Sequence, residues 1–253
     1  MDTLMAACYS AIGSIKQNNE DNFCFNGRCM PLDNVGMRHP VAEKVTLQQH
    51  SFYAVYDGIG GEAYGENAAY VAAQAAKEEM EKASTFIISE MKLVEQLCEA
   101  MNVAVVEEQK KRHAPKMGCT MAGILFSEGV VYSVNIGDSK VFRYRTGELL
   151  QISHDHIAQG FVSAPRQVLT QYLGLDPENY LILPYISEER YYCGDRYLIC
   201  TDGVTDLLSV QEIADILSTS NNVCDCASML VEMTIKAGGD DNTTVIVCFV
   251  DKK

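Results

Sequence analysis

Five groups of carboxylates in this sequence stand beside glycines or at the ends of apolar runs, where oxygen ligands for a hard cation could be gathered. Asp57 follows His50-Ser51-Phe52-Tyr53-Ala54-Val55-Tyr56 and opens Gly58-Ile59-Gly60-Gly61. Asp138 follows Val134-Asn135-Ile136-Gly137, and Asp202 follows Tyr197-Leu198-Ile199-Cys200-Thr201. Asp241 lies in Gly238-Gly239-Asp240-Asp241-Asn242, just before Thr244-Val245-Ile246-Val247-Cys248-Phe249-Val250, and Asn19-Glu20-Asp21-Asn22 stands near the start. Val, Tyr and Phe fit a pleated surface and glycine permits φ > 0 or close backbone approach, so Asp57 is expected at a strand end with its neighbours' backbone exposed. Divalent cations that prefer oxygen take such ligands from separated parts of a chain folded together.

Other readings of the same residues are available. Taken singly, each acidic group reads as a solvated turn or helix cap, because Asp-Gly and Asn-Gly are ordinary turn chemistry. Gly58-Ile59-Gly60-Gly61-Glu62-Ala63 also matches the dinucleotide pattern G-x-G-x-x-[GA]. That pattern needs a second strand ending in an acid about 20 residues on, whereas the region around Glu78 continues a helical pattern. His154-Asp155-His156 would place two imidazoles on one face of a strand, but no Cys or further His lies at supporting spacing, and a polar strand end is the better reading. Cys8, Cys24, Cys200 and Cys248 fall within strand patterns as small buried hydrophobes. No nucleophilic Ser or Cys motif stands out.

The elements that must position these groups follow from periodicity. Met5 to Ser10 and Asn22 to Asn26 read as strands around a turn at Gly13, with Lys16, Glu20 and Asp21 in the polar bend between them. Residues 27 to 49 read as an irregular surface excursion without chemistry. After Asp57, Ala63, Ala68, Val71, Ala72, Ala75, Ala76 and Met80 form a helical apolar face. A second helix carries Met91, Val94, Cys98, Met101 and Val105 and closes on Lys110-Lys111-Arg112, favourable at a C-terminus. Thr120 to Phe126, Val130 to Ile136, Ser139 to Arg145 and Leu149 to Ile152 read as an antiparallel meander of consecutive hairpins. Strands at Tyr180 to Ile186 and Arg196 to Cys200 follow. Ser209-Val210-Gln211-Glu212 is a capping box opening a helix, Asn222 to Ala237 a second one, and Thr243 to Val250 the last strand. The predicted class is α+β, layered α/β/β/α.

With 253 residues, 47% of them hydrophobic, one domain spanning residues 1–253 is expected. The net charge of -14, from 34 acidic against 20 basic residues, disfavours nucleic acid and anionic membranes, which select Lys and Arg. The ten cysteines lack zinc or redox spacing and read as reduced thiols. The first residues lack a signal-peptide pattern and no apolar run approaches ~18 residues, so a cytoplasmic protein is expected.

In order and wording, the acidic groups resemble the metal-dependent Ser/Thr protein phosphatases of the protein phosphatase 2C family, in its bacterial type. The matching pieces are Asn19-Glu20-Asp21-Asn22-Phe23, Val55-Tyr56-Asp57-Gly58-Ile59-Gly60-Gly61 with Gly65-Glu66, and Gly118-Cys119-Thr120. Asn135-Ile136-Gly137-Asp138-Ser139-Lys140, Thr201-Asp202-Gly203-Val204-Thr205-Asp206 and Asp241-Asn242-Thr243-Thr244 complete them. The resemblance implies two central antiparallel sheets flanked by helix pairs, phosphoserine and phosphothreonine proteins as substrates, and an antagonist Ser/Thr protein kinase. It implies two Mn²⁺ or Mg²⁺ ions bridged by a water, with Asp57 on both, the Gly58 carbonyl and Glu20 or Asp21 on one, and Asp202 and Asp241 on the other. In bacterial relatives a third ion uses positions matching Asp138, Asp202 and Asp206. Two cations can neutralise a phosphomonoester dianion and acidify a bound water, so no protein nucleophile is needed.

Three departures concern substrate handling. Lys16 stands where the family usually has a phosphate-gripping Arg, giving a point charge without the bidentate fork. Glu62 stands where a His is proposed to protonate the leaving alcohol. The flap between His156 and Leu169 leaves little room for its usual helical element. These motivate an alternative: a noncatalytic phosphoprotein-binding or regulatory module with the same fold.

Overall fold

The structure, a computed structural model, describes residues 2–59, 64–84, 88–114, 116–158 and 168–252. One antiparallel sheet joins β3 (Val41–Thr46), β1 (Asp2–Ala11), β11 (Thr243–Lys252), β10 (Arg196–Cys200), β7 (Lys140–Arg145) and β8 (Glu148–Gln151) in that order. The other joins β2 (Asp21–Phe25), β4 (Ser51–Asp57), β5 (Met121–Ser127), β6 (Val130–Ile136) and β9 (Tyr185–Arg190). Helices α1 (Gly65–Ala83) and α2 (Glu90–Arg112) cover the five-stranded sheet. The single turn α3 (Asp202–Thr205) follows β10, and α4 (Val210–Thr219) and α5 (Val223–Lys236) cover the six-stranded sheet.

Strand β4 shows why its sequence is apolar throughout instead of alternating. Successive side chains point to opposite faces. Tyr53 and Val55 enter the core between the sheets, while Phe52, Ala54 and Tyr56 enter the core beneath α1 and α2. Both faces are covered, so neither set can be polar. In the inter-sheet core the Tyr53 ring meets Phe25 edge-on at 5.3 Å, and Phe126 meets Tyr197 at 5.5 Å. Each such buried side chain stabilises by about 1.5–3 kcal/mol. The buried positions of α1 include Ala68, Ala69, Ala72, Ala73 and Ala76, whose small side chains let the helix lie close on β2 and β4. The predicted capping box is present, with Ser209 accepting from Glu212 N–H and the Glu212 carboxylate accepting from Ser209 N–H, and Asn222 caps α5.

Three local expectations are corrected. The meander does not stay in one sheet: β5 and β6 pair in one, β7 and β8 in the other, and the chain crosses between them at Gly137-Asp138-Ser139. A two-residue turn signal does not say whether the flanking strands pair or pass to opposite sheets. Within the excursion 27 to 49, residues 41–46 form β3 against β1. The strand placed at Tyr180 begins only at Tyr185, and Tyr180, Leu181 and Leu183 are exposed.

Candidate active site

Register places the acidic groups at one end of both sheets. Asp21 at the start of β2 lies opposite Asp57 at the end of β4. Cys200, at the end of β10, pairs with Val245 near the start of β11 and with Lys140 at the start of β7. Asp202, Asp241 and Asp138 therefore emerge at neighbouring strand ends, and Asp206 follows one helical turn after Asp202.

The Asp57 turn is built from backbone fitted to backbone. Thr120 N–H donates to the Asp57 carbonyl at 2.8 Å, and Gly58 N–H to the Glu20 carbonyl at 3.2 Å. A Cβ on Gly58 would lie 2.5 Å from the Gly65 carbonyl carbon and 2.8 Å from the Glu20 carbonyl oxygen, so only glycine fits there.

Asp21 is buried. Its Oδ2 accepts from the hydroxyls of Thr201 at 3.0 Å and Thr244 at 2.7 Å, while Oδ1 has no hydrogen-bond partner among the described residues. Burial pushes its pKa up to about 7 despite those two hydroxyls, with the charges of Asp202 and Asp241 adding to the rise. Asp57 is raised well above the usual carboxylate range, first by burial, then by Asp202 and Asp21, and its carboxyl shares a hydrogen bond with that of Asp202. Burial and then Asp202 raise Asp138 to about 6, and the same two causes raise Asp206. The result is a recessed group of carboxylates whose charged forms are disfavoured by burial and by one another's charge.

One side chain joins the two ends of the chain here. Asn242 Oδ1 accepts from Glu20 N–H at 2.8 Å, and its Nδ2 donates to the carbonyls of Ile12 at 2.9 Å and Asn18 at 3.1 Å. Gly13, at φ 81°, lets the loop settle on Asp241, whose carbonyl would stand 2.4 Å from a Cβ there. Lys16 is thereby delivered to Asp241, Nζ to Oδ1 at 2.7 Å, with Glu20 Oε2 at 3.9 Å. Burial works against the Lys16 charge, but Asp241, Glu20 and Asp57 outweigh it and raise its pKa. The predicted residues Lys16, Glu20, Asp21, Asp57, Gly58, Asp138, Asp202, Asp206 and Asp241 are thus brought to one end of the sandwich. Glu62 lies outside the described residues, as do residues 159–167 of the flap.

Sequence reasoning gave no role to Thr201, Thr244, Asn242 or Asn19. The signal was present: polar residues beside acids at the margins of apolar strands, each fully or almost fully buried. His154 and His156 do not form a strand face. His156 Nδ1 instead accepts from Gly137 N–H at 3.1 Å, and burial followed by His154 holds its pKa below the ordinary value. Asp155 pairs with Lys140 at 2.9 Å, so this polar stretch braces the Asp138 turn.

Two antiparallel sheets thus lie between helix pairs in an α/β/β/α arrangement, with carboxylates recessed at their common strand ends. Residues 41–234 match the family model of protein phosphatase 2C, and the chain belongs to that family. The serine/threonine protein phosphatase PstP of Mycobacterium tuberculosis is 27% identical over 98% of this chain and 45% of its own length. The chain thus spans about half the length of that curated relative. The serine/threonine phosphatase stp of Listeria welshimeri is 23% identical over 93% of this chain and 91% of its own. The crystal structure of the PstP catalytic domain in complex with two manganese ions superposes with a TM-score of 0.77 at 26% identity, over 100% of both chains.

Proposed function

We propose that this chain is a metal-dependent protein phosphatase, in one domain spanning residues 1–253, that hydrolyses phosphoserine and phosphothreonine on other proteins. The observation that carries the reading is the recessed group Asp21, Asp57, Asp138 and Asp202, in which burial and the charge of Asp202 raise the pKa of the other three while Asp21 Oδ1 is buried without a partner among the described residues. Carboxylates desolvated together are costly unless a cation compensates them, and an all-oxygen set suits Mg²⁺ or Mn²⁺. Among the described residues no three His, Cys, Asp or Glu side chains are already placed to hold a metal ion together, so the fit rests on buried charge and donor chemistry. The manganese-bound PstP domain supports it.

In this reading Asp57 would serve two ions, the Gly58 carbonyl with Glu20 or Asp21 would serve one, and Asp202 and Asp241 would serve the other. Asp138, Asp202 and Asp206 would hold a third. Such ions supply neutralisation of the phosphate dianion and a water acidic enough to ionise near neutral pH. The chain's own residues set the stage for that chemistry. Thr201 and Thr244 engage one oxygen of Asp21 and leave the other for a cation. Asn242 holds the Glu20 backbone against the Asp241 loop and so ties the two proposed ligand sets together. Lys16 adds positive charge for the phosphate beside them.

An antagonist Ser/Thr protein kinase and a cytoplasmic location belong to the same proposal. The net charge of -14 disfavours nucleic acid and anionic membranes as partners. Among the described residues no helix is long and apolar enough to cross a membrane. The test is turnover of phosphoserine and phosphothreonine peptides with Mn²⁺ and with chelator. Metal-dependent release of phosphate is expected. Tight phosphopeptide binding without release at any metal concentration would establish the noncatalytic module instead.

A further inference from the structure

A line of side-chain hydrogen bonds runs from the surface loop 31–36 to Asp21 through Asn19, Ser10 and Thr244, none of which has exposed surface. Asn19 Nδ2 donates to Asn34 Oδ1 at 2.9 Å and to Ser10 Oγ at 3.0 Å. Ser10 Oγ lies 2.9 Å from Thr244 Oγ1, which donates to Asp21 Oδ2 at 2.7 Å. The loop is seated on the same strand that carries Ser10. Met37 N–H donates to the Ser10 carbonyl at 2.8 Å, and a Cβ on Gly36 would stand 2.9 Å from that oxygen. Residues 27 to 49, which the sequence pattern leaves without chemistry, thus reach a proposed metal ligand through four hydrogen bonds.

Counting donors and acceptors gives this line a direction. Backbone groups fix the Asn34 amide at both ends: Oδ1 accepts from Gly36 N–H at 3.1 Å, and Nδ2 donates to the Pro31 carbonyl at 3.1 Å. Asn19 must therefore turn its nitrogen toward Asn34 Oδ1, and the same orientation lets its own Oδ1 accept from Asp21 N–H at 3.2 Å. The reversed amide would set oxygen against oxygen at Asn34 and N–H against N–H at Asp21. Since Ser10 Oγ accepts from Asn19, its single proton goes to Thr244. The Thr244 proton is committed to Asp21, so Thr244 Oγ1 can only accept from Ser10. Every donor from Asn19 to Thr244 points toward Asp21 Oδ2. Thr201, whose Oγ1 accepts from Thr244 N–H at 3.0 Å, brings a second hydroxyl to that oxygen at 3.0 Å. Asp21 Oδ1 has no partner among the described residues.

Resting on the metal-dependent reading, we propose that Asn34, Asn19 and Ser10 are positioning residues: their one-directional hydrogen bonds hold the Thr244 hydroxyl on Asp21 Oδ2 and so keep Oδ1 available to the cation. Hydrogen bonds aligned head to tail polarise one another, and residues that orient a metal ligand tune metal affinity without touching the metal. The test is calorimetric titration with Mn²⁺, without substrate, of the wild type, Ser10→Ala, Thr244→Val and the double variant, each checked for folding by circular dichroism. Loss of one link in the line predicts that Ser10→Ala weakens Mn²⁺ binding at one site roughly two- to tenfold. Thr244→Val should weaken it at least as much, and Thr244→Ser, which keeps the hydroxyl, should recover most of that loss. Because Ser10 acts through Thr244, the double variant should bind no more weakly than Thr244→Val alone. A tie that serves only the fold would lower the melting temperature in chelator and leave Mn²⁺ affinity where it was. Unchanged or tighter Mn²⁺ binding in folded Ser10→Ala, or losses that multiply in the double variant, therefore overturns the positioning role. Should Ser10→Ala not fold, Asn34→Ala in the surface loop decides by the same criterion of weakened against unchanged binding. If the wild type binds no Mn²⁺, the metal-dependent reading itself has failed and the positioning role falls with it.

Discussion

Replacing Lys16 by Ala changes two quantities at once. Its Nζ stands 2.7 Å from Asp241 Oδ1 and 3.9 Å from Glu20 Oε2, so the proposed ligands lose a competing cation while an incoming phosphate loses an attractive one. The side chains of Lys16 and Asp241 are 26% and 41% exposed, which screens the pair to ~0.2–1 kcal/mol. At about 1.4 kcal/mol per tenfold, the half-saturating Mn²⁺ concentration should fall by up to about fivefold in Lys16→Ala. Calorimetric titration without substrate reads this directly. The KM for phosphopeptides should rise about tenfold or more, from loss of a charge-assisted contact of ~1.5–3 kcal/mol. Lys16→Arg should preserve KM, since the guanidinium keeps the charge and adds a bidentate fork. The Lys16 pKa is raised, so neither effect should titrate away across the neutral range. A higher half-saturating Mn²⁺ concentration in Lys16→Ala would refute the competition with Asp241. An unchanged KM would place Lys16 off the phosphate path.

The remaining predictions concern the carboxylates and the leaving group. Asp57→Asn and Asp241→Asn should each abolish metal-dependent turnover with the fold retained by circular dichroism, and Asp138→Asn should be milder; equal loss in all three contradicts a separate third site. A raised carboxyl pKa means the folded state holds the proton more tightly than the unfolded one, so its stabilisation is present below about pH 4 and lost as pH rises through the folded value. For Asp21 that value is about 7, so in chelator the melting temperature of Asp21→Asn minus that of wild type should grow between about pH 4 and pH 7. Saturating Mn²⁺ should shrink that difference, and a difference flat with pH would mean Asp21 is already charged. Glu62→Ala should slow phosphoserine peptides and an aryl phosphate by similar small factors if bound water protonates the leaving alkoxide. A selective loss of ~10²–10⁴ on phosphoserine would make Glu62 the acid.

The sequence by itself determined most of the strands and helices, though not β3 or the start of β9, and which carboxylates stand at their ends. Those features are written in short-range sterics: the all-apolar β4, the alanine face of α1, the Ser209 capping box and the glycine turn after Asp57. The motif order also determined the candidate site, because residue types in family order survive without coordinates. Tertiary structure decided how distant pieces meet. It sent β6 and β7 into different sheets and paired residues 41–46 with β1. It buried Thr201 and Thr244 against Asp21, made Asn242 the tie between both chain ends, and set Lys16 on Asp241. It also ran a line of hydrogen bonds from Asn34 through Asn19 and Ser10 to Thr244. The physical reason is range: strand and helix periodicity acts over a few residues, whereas hydrogen bonding, burial and charge act between whatever the fold brings within a few ångströms, and the raised pKa values of Asp21, Asp57, Asp138 and Asp206 come from such neighbours.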